Sequence, residues 1–250
     1  MSHGLYLSAA GANAQNHRLQ VLSNNLANMQ TAGYKPQQAV LQSRFTELIE
    51  RGQVPPGTGG VNDVSGGVTV QPEVTQHGEG TLRKTGNETD FAISDAQSFF
   101  VVQRGDQQLL TRAGNFLFNN AGQLITQQGD PVLDQQGRSV SIDPTLPYSI
   151  LNGGRIQQGD NVLSLMLARP DNLGELNHLG GNLFAPPEEF ELVRGNDRPV
   201  VSGFLEQSGV QPTAAMMELI EASRAYEANA KMIQNQDSVV GSLISRVLQS

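Results

Sequence analysis

The chain has no cysteine and no tryptophan, and aromatic residues make up only 5% of its 250 positions. The absence of cysteine excludes a disulfide framework, a zinc site with thiolate ligands and a cysteine nucleophile. Basic residues are also scarce, with 16 Lys and Arg against 24 Asp and Glu and a formal net charge of −8. Such an acidic chain is poorly suited to phosphate backbones, so its composition argues against nucleic-acid binding. No stretch approaches the ~18 consecutive apolar residues of a membrane span.

The sequence also lacks recognisable catalytic constellations. None of the four histidines is followed by a second metal ligand three or four residues later, and none lies in a nucleophile motif; they are His3, His17, His77 and His178. The pair Gly57-x-Gly59 lacks the third glycine and the Lys-Ser/Thr pair of a phosphate-binding loop. We therefore expect no catalytic, cofactor-binding or metal site, and the sequence favours a protein that is not an enzyme.

What the sequence does contain is a seven-residue apolar repeat at each end. In the N-terminal segment, the main stripe consists of Leu5, Ala12, Leu19 and Leu26, and Leu22 belongs to a second stripe beside it. This spacing is typical of helices that pair along a seam, and it predicts a helix from Leu5 to Met29. Gly33 follows at a position suited to the left-handed residue that ends a helix.

The C-terminal segment carries a stronger repeat of the same period. Its large side chains recur at Leu219, Tyr226, Ile233, Val240 and Val247. Pro212 suits the first position of a helix, so the pattern predicts a helix from Pro212 to Leu248, about 55 Å long at about 1.5 Å per residue. Two helices in one chain could pair with each other. They cannot cover both stripes, however, so the pattern favours further packing against other chains.

Neutral amide side chains replace charged ones in the N-terminal segment. No Asp or Glu occurs between Met1 and Thr46, and Asn24, Asn25 and Asn28 crowd the end of the predicted helix. Because asparagine has poor helix propensity, the presence of three asparagines in a predicted helix needs an explanation. We expect them to hydrogen-bond with the C-terminal helix of the same or a neighbouring subunit. The alternative is that they cap a helix ending near Leu22.

The middle of the chain has a different pattern. Residues 51–80 are rich in Gly and Pro and predict an extended linker. Between residues 81 and 205, short apolar runs separated by turn signals predict a β domain. The predicted runs are Phe91–Ile93, Phe99–Val102, Leu109–Arg112, Phe116–Phe118, Leu124–Thr126 and Val162–Ala168. The predicted class is α+β, in which residues 1–50 and 206–250 form a coiled-coil-like inner domain around a central, mainly antiparallel β domain.

Three blocks of sequence resemble the flagellar rod, hook and hook-associated axial proteins, and most closely the basal-body rod proteins. The first reads SNNLANMQTAGYK from Ser23 to Lys35, and the last begins GFLEQSGVQPTAAMMELIEASRAYEANAK at Gly203. The central block includes TLRKTGNETDFAI from Thr81 and LTRAGNFLFNNAGQLITQQGDPVLD from Leu110. One departure is the segment Ser94–Ser98, which has no glycine where the family usually has a glycine turn.

The resemblance implies a structural subunit whose terminal segments fold into an α-helical inner tube on assembly. It also implies homo-oligomerisation, contacts with other rod and hook subunits, and export by the flagellar type III apparatus to a periplasmic rod. A short apolar run from Leu5 to Ala10, with no Lys or Arg before it, agrees with export without a Sec signal. A proximal rod, distal rod or hook-type position stays open, as does a coiled-coil-ended adhesin.

Overall fold

The computed structural model describes residues 2–45, 49, 66–187, 190–195 and 198–248. These residues form two compact units. The first, here called the helix unit, combines the described parts of Met1–Ala27, Gln37–Val74 and Gln211–Ser250. The second, here called the β unit, combines Asn28–Pro36 with the described parts of Thr75–Val210. Each unit is therefore built from segments that are distant in sequence.

The helix unit contains two long helices and a two-stranded ribbon. The helices are α1 (Ser2–Ala27) and α2 (Pro212–Leu248), and the strands are β1 (Gln37–Arg44) and β2 (Gly67–Thr75). Helix α1 packs against both α2 and β1. The prediction for α2 is confirmed at both ends, whereas α1 ends two residues before the predicted Met29.

The β unit contains fifteen short strands and one 3₁₀ turn at Leu173–Glu175. In chain order the strands are β3 (Leu82–Lys84), β4 (Phe91–Ile93), β5 (Phe99–Arg104), β6 (Gln107–Thr111), β7 (Leu117–Phe118), β8 (Leu124–Ile125), β9 (Ser149–Leu151), β10 (Arg155–Gln158), β11 (Asn161–Ser164), β12 (Leu167–Pro170), β13 (Asn177–Gly180), β14 (Leu183–Ala185), β15 (Phe190–Leu192), β16 (Val200–Ser202) and β17 (Phe204–Glu206). Six of these strands form the largest sheet, in the order β13-β14-β6-β5-β12-β15. The strand pairs run antiparallel, as predicted.

Strand β5 supplies the centre of the β unit. Its side chains alternate between two apolar clusters, with Phe100 in the larger cluster and Phe99 in the smaller one. This alternation is the period-2 pattern of a strand buried on both faces. Phe100 meets the edge of the Phe116 ring at a centroid distance of 5.2 Å, and both rings are buried. The α+β class is confirmed, whereas the winding of the two helices as a coiled coil stays a prediction.

Every predicted strand run overlaps an observed strand. Strand β4 lies at the predicted position, and the predicted run Val162–Ala168 divides into β11 and β12. The linker was predicted over residues 51–80. Residues 51–65 of this range lie outside the described residues, and the rest contains strand β2, which pairs with β1. The domain boundaries stay a prediction.

The Ser94–Ser98 turn is closed by an acidic side chain. The Asp95 carboxylate accepts hydrogen bonds from the backbone N–H of Ser98 at 2.9 Å and from its hydroxyl at 2.7 Å. These bonds join Asp95 to a backbone amide that the turn would otherwise leave unpaired. Asp95 thus stabilises the turn without the glycine that the resemblance led us to expect.

Candidate assembly interface

The two helices of the helix unit pack in opposite directions through small residues. A Cβ atom placed on Gly4 would lie 3.0 Å from the Gln236 amide nitrogen, and one on Gly11 would lie 2.9 Å from the Asn229 amide oxygen. The helices are therefore antiparallel, because seven residues forward along α1 correspond to seven residues backward along α2. The glycines let the amide side chains approach the α1 backbone directly, so the seam has little room for larger residues.

On α2 the residues facing this seam recur every seven positions. Ala215 and Ala222 are buried, and Asn229 and Gln236 continue the series in a half-buried position. The Asn229 amide nitrogen donates to the Ala225 carbonyl at 2.9 Å, which leaves its oxygen directed at Gly11. The seven-residue period predicted from sequence is present. Its buried line, however, runs through small and amide residues beside the large ones.

The predicted interface residues of α2 lie on the flank of this line. Leu219 and Ile233 are half-buried, whereas Tyr226 keeps 39% of its surface exposed and Val240 keeps 36%. The side chain of Val247 lies outside the described residues. On α1, Leu22 and Asn25 are buried and Leu5 and Asn24 are exposed, while the half-buried residues are Ala12, Leu19, Leu26 and Asn28. The role of these residues in assembly stays a prediction.

Asn25 bonds with the strand that follows α1. Its amide nitrogen donates to the Gln37 carbonyl at 2.7 Å, and its amide oxygen accepts from the Gln37 backbone N–H at 3.0 Å. The sequence did not predict this contact with the first residue of β1. The predicted bond with the C-terminal helix of the same or a neighbouring subunit stays a prediction. The capping alternative is wrong for Asn25, because α1 continues to Ala27 rather than ending near Leu22.

Much of α2 has no cover within the helix unit. Large apolar side chains are exposed near its start, where Met217 is 68% exposed, and again beyond Ser238. The exposed apolar residues of α2 are Met216, Met217, Ile220, Tyr226, Met232, Val239, Val240, Leu243 and Ile244. These side chains leave α2 with apolar surface that a partner could cover.

A group of charged residues, here called the junction cluster, lies in the β unit and consists of the buried Lys35, Arg112 and Glu206 and the half-buried Asp95. The Lys35 ammonium donates to the Glu206 carboxylate at 2.6 Å and to the Gly78 carbonyl at 2.7 Å. Arg112 lies 3.6 Å from the other Glu206 oxygen and 3.8 Å from Asp95. The cluster thereby ties the segment that follows α1 to the strand that leads towards α2.

Backbone contacts reinforce the same junction. Gly33 has a φ of +65° and donates its N–H to the Glu206 carbonyl at 2.8 Å. A side chain at Gly33 would collide with the Arg112 carbonyl, so both its φ and its surroundings require glycine. The left-handed geometry predicted for Gly33 is confirmed. The Gly209 N–H adds a second bond between the same segments by donating to the Tyr34 carbonyl at 2.9 Å.

Burial sets the electrostatics of the junction cluster. Loss of solvent lowers the pKa of Lys35, against the opposing attraction of Glu206. Burial also lowers the pKa of Arg112, whose guanidinium stacks 4.8 Å from the centre of the Phe99 ring. Burial would raise the pKa of Asp95, but hydrogen bonds from Ser98 and Arg169 outweigh it and lower that pKa. The charges therefore depend on one another rather than on water.

Sequence reasoning did not single out the junction cluster. Lys35 and Glu206 are separated by 171 positions, and no periodicity connects residues that far apart. One signal was available, because Arg112 and Glu206 each directly follow a short apolar run, Leu109–Thr111 and Phe204–Leu205. A charge at the end of a buried strand needs a partner of opposite charge, and Arg112 and Glu206 are such partners for each other.

Across the described ranges, no group of three His, Asp or Glu residues is arranged to hold a metal ion. Among the same residues, no helix has the length and apolarity needed to cross a bilayer.

Comparison with known families gives three matches in chain order. Residues 5–35 match the model of the flagella basal body rod protein, and residues 92–161 match the D1 domain of the flagellar hook protein FlgE/F/G. Residues 201–246 match the C-terminal region of the flagellar basal body rod FlgEFG proteins. The junction cluster takes at least one residue from each match: Lys35 from the first, Asp95 and Arg112 from the second, and Glu206 from the third.

Whole-chain relatives agree with these matches. The chain is 33% identical over 249 residues to the flagellar basal-body rod protein FlgF of Caulobacter vibrioides, covering 99% of this chain and 98% of the relative. It is 32% identical over 268 residues to FlgG of Agrobacterium fabrum, covering 98% of this chain and 99% of the relative. It is 29% identical over 266 residues to FlgG of Bacillus subtilis, again covering 98% of this chain and 99% of the relative. The chain therefore belongs to the flagellar basal-body rod protein family, and it is a structural subunit of the rod at the basal body rather than an enzyme.

Proposed function

We propose that this subunit assembles through its terminal helices into a helical tube that transmits torque. In this proposal α1 and α2 wind around each other as a coiled coil, and their flanks pack against neighbouring copies. The neighbours also include other rod and hook subunits. The inner domain consists of residues 1–50 and 206–250, the linker of residues 51–80, and the outer β domain of residues 81–205.

The observation that supports the proposal is that only one side of α2 is packed against α1. This helix has 37 residues, packs against α1 along the line of Ala215 and Ala222, and leaves large apolar side chains exposed elsewhere. A single subunit contains no further helix of comparable length among its described residues that could cover them. Burial against neighbouring subunits would offset the ordering entropy of both helices.

The proposed interface comprises the residues whose repeat first suggested it. On α1 these are Leu5, Ala12, Leu19, Leu22, Asn24, Asn25, Leu26 and Asn28, and on α2 they are Leu219, Tyr226, Ile233, Val240 and Val247. The half-buried position of Ile233 and the exposure of Tyr226 support this role, because both retain apolar surface that a neighbour can cover. Export by the flagellar type III apparatus, without a Sec signal, completes the proposal.

Replacing Ile233 by Asp tests the proposal. The change places a charge where apolar contact is expected, and an unpaired buried charge costs roughly 3–5 kcal/mol per site. Cells that carry the variant should make the protein but fail to complete rods, as seen by electron microscopy of basal bodies and by loss of swimming.

The matched control is Asn235→Asp, which adds the same charge to an exposed position on the same stretch of α2. We expect this variant to assemble and swim like the parent. Normal rods and swimming in the Ile233→Asp strain would contradict the proposed role of the helices.

A further inference from the structure

The chain passes between the helix unit and the β unit four times. It crosses after Ala27, Pro36, Val74 and Val210. On the β-unit side, these crossings lie at the ends of three segments, here called the connecting segments: Asn28–Pro36, Thr75–Thr81 and Glu206–Val210. Any force that passes along the chain from one unit to the other therefore enters the β unit through one of these segments.

A single carboxylate oxygen joins the three connecting segments. Oε1 of Glu206, in the third segment, accepts a hydrogen bond from the Lys35 ammonium at 2.6 Å and another from the Gly80 N–H at 2.8 Å. Lys35 belongs to the first segment and Gly80 to the second. The Lys35 ammonium also donates to the Gly78 carbonyl of the second segment at 2.7 Å. Each segment is thus bound to the other two at one point.

Backbone hydrogen bonds join the same three segments. The first and second segments share one bond, the first and third share another, and the second and third share a third. In that order, the donor N–H and the acceptor carbonyl belong to Gln76 and Pro36 at 2.8 Å, Gly209 and Tyr34 at 2.9 Å, and Gln207 and Thr81 at 2.9 Å. The backbones therefore hold the segments side by side around the Lys35–Glu206 pair.

The pair at the centre is shielded from water. The side chains of Lys35 and Glu206 keep only 1% and 2% of their surface exposed. Removing either partner would leave a buried charge uncompensated, which is strongly unfavourable. Strand β17, which ends at Glu206, pairs with β3 over three residue pairs, so its own ladder is short. The buried pair therefore adds a strong attachment where the β-unit chain leads into α2.

We propose that Lys35 and Glu206 form a mechanical clamp, which makes the three connecting segments act as one when force passes between the units. A load on any one segment is then shared by the other two and by the β-unit core. The inference rests on the proposed function, because it assigns residues to the transmission of torque within each subunit. It goes further by naming the contact through which the load passes.

Pulling on single molecules of the full-length protein tests the clamp. Since the chain has no cysteine, Thr213→Cys/Asp106→Cys provides two attachment points, at the exposed start of α2 and in an exposed turn of the β unit. With the clamp intact, the β unit should open in one step. With Lys35→Met added, the third segment should be released first. That early lengthening is at most about 35 Å, the extended span from Gly203 to Thr213.

The same measurement separates clamping from stability. Lys35→Met should shorten the lifetime of the closed state at constant force about tenfold, because part of the lost pair energy appears in the opening rate. The double variant Lys35→Met/Glu206→Leu carries no unpaired charge and should regain stability, yet it should keep the early release, because the bonds to Gly78 and Gly80 are gone. The control Leu124→Ala removes a buried side chain of the larger apolar cluster. It should open sooner but without the early step.

Two results of the pulling experiment would overturn the proposal. One is a single opening step with the parent lifetime in both variants that lack Lys35. The other is the same early release in Leu124→Ala, which would make the step a consequence of lower stability alone.

Swimming under increasing viscosity tests the clamp in cells. Cells with Lys35→Met/Glu206→Leu should complete rods and swim at the parent speed in dilute medium. They should lose speed more steeply than the parent and Leu124→Ala cells as viscosity rises. Parent speed at every viscosity would overturn the inference. So would an absence of rods, because the pair would then serve folding or assembly rather than load.

The outcomes for the clamp and for the proposed function are distinguishable. If the double variant shows no early release while Ile233→Asp cells fail to build rods, the clamp is wrong and the proposed function stands. If Ile233→Asp cells build normal rods and swim, the proposed function fails, and with it the assignment of the clamp to torque.

Discussion

The β unit buries its largest apolar side chains, whereas α2 leaves many of its own exposed. Phe91, Phe99, Phe100 and Phe184 have no exposed surface, while Met217, Ile220 and Ile244 each expose more than half. The β unit therefore contains its own apolar core. The helix unit buries mainly small side chains, so its remaining apolar surface is available to neighbours. The comparison teaches that one chain can divide stability and assembly between separate units.

The largest expected effect follows from cutting into the core of the β unit. Phe100→Ala removes a fully buried ring at the centre of the larger cluster, which should cost about 3–5 kcal/mol of unfolding free energy. Tyr226→Ala, in the exposed part of α2, should change the same quantity by less than about 1 kcal/mol. Urea unfolding followed by circular dichroism measures both. Similar losses in the two variants would remove the distinction between the units.

The next effect concerns the junction cluster. Lys35→Met leaves the buried Glu206 carboxylate without its closest cation, and we expect a loss of about 3 kcal/mol, near the lower end for a broken buried pair. The loss stays near that end because the Gly80 N–H still donates to Glu206 at 2.8 Å. The double variant Lys35→Met/Glu206→Leu should recover part of the loss. If the stability loss of the double variant equals the sum of the losses of the two single variants, the two charges do not act as a pair.

A smaller effect is expected within the helix unit. Asn25→Leu removes both hydrogen bonds to the Gln37 backbone and leaves a buried donor and acceptor unpaired, at roughly 1–3 kcal/mol. The loss should appear in the unfolding of the helix unit, and the β unit should melt at the parent temperature. Asn24→Leu, at an exposed neighbour, is the matched control. Equal destabilisation by the two changes would show that the Gln37 contact contributes nothing.

These cases show what the sequence could predict. The seven-residue periods identified both helices, Pro212 marked the start of α2, and Gly33 was correctly predicted to be left-handed. The line of α2 that contacts α1 was not predicted, because close helix packing selects small residues such as Ala222 and Gly11. The role of the large residues beside this line stays a prediction. The partner of Asn25 and the Lys35–Glu206 pair were missed, since both depend on contacts that only the folded chain creates.

A further effect depends on pH. Burial, together with Lys35 and Arg112, lowers the pKa of His77 to about 4 in the folded protein, against about 6.5 for an unfolded histidine. Between these values the unfolded chain binds more protons, so stability should fall as the pH drops from 6.5 towards 4 and stay level above 7. His77 packs against the Phe99 and Phe184 rings, so His77→Phe should preserve packing and flatten this slope. Melting temperatures across that range would show it, and an unchanged slope would contradict the assignment.

Hydrogen–deuterium exchange compares the two units most directly, with the free subunit and assembled rods measured side by side. The account predicts that peptides from Phe91–Ile93 and Phe99–Arg104 are protected in both states, because the core of the β unit is complete without neighbours. Peptides from Ser2–Ala27 and Pro212–Leu248 should exchange faster in the free subunit than peptides of the β-unit core and should become more protected on assembly. Equal protection of both helices in the free and assembled states would contradict the claim that neighbouring subunits complete the helix unit.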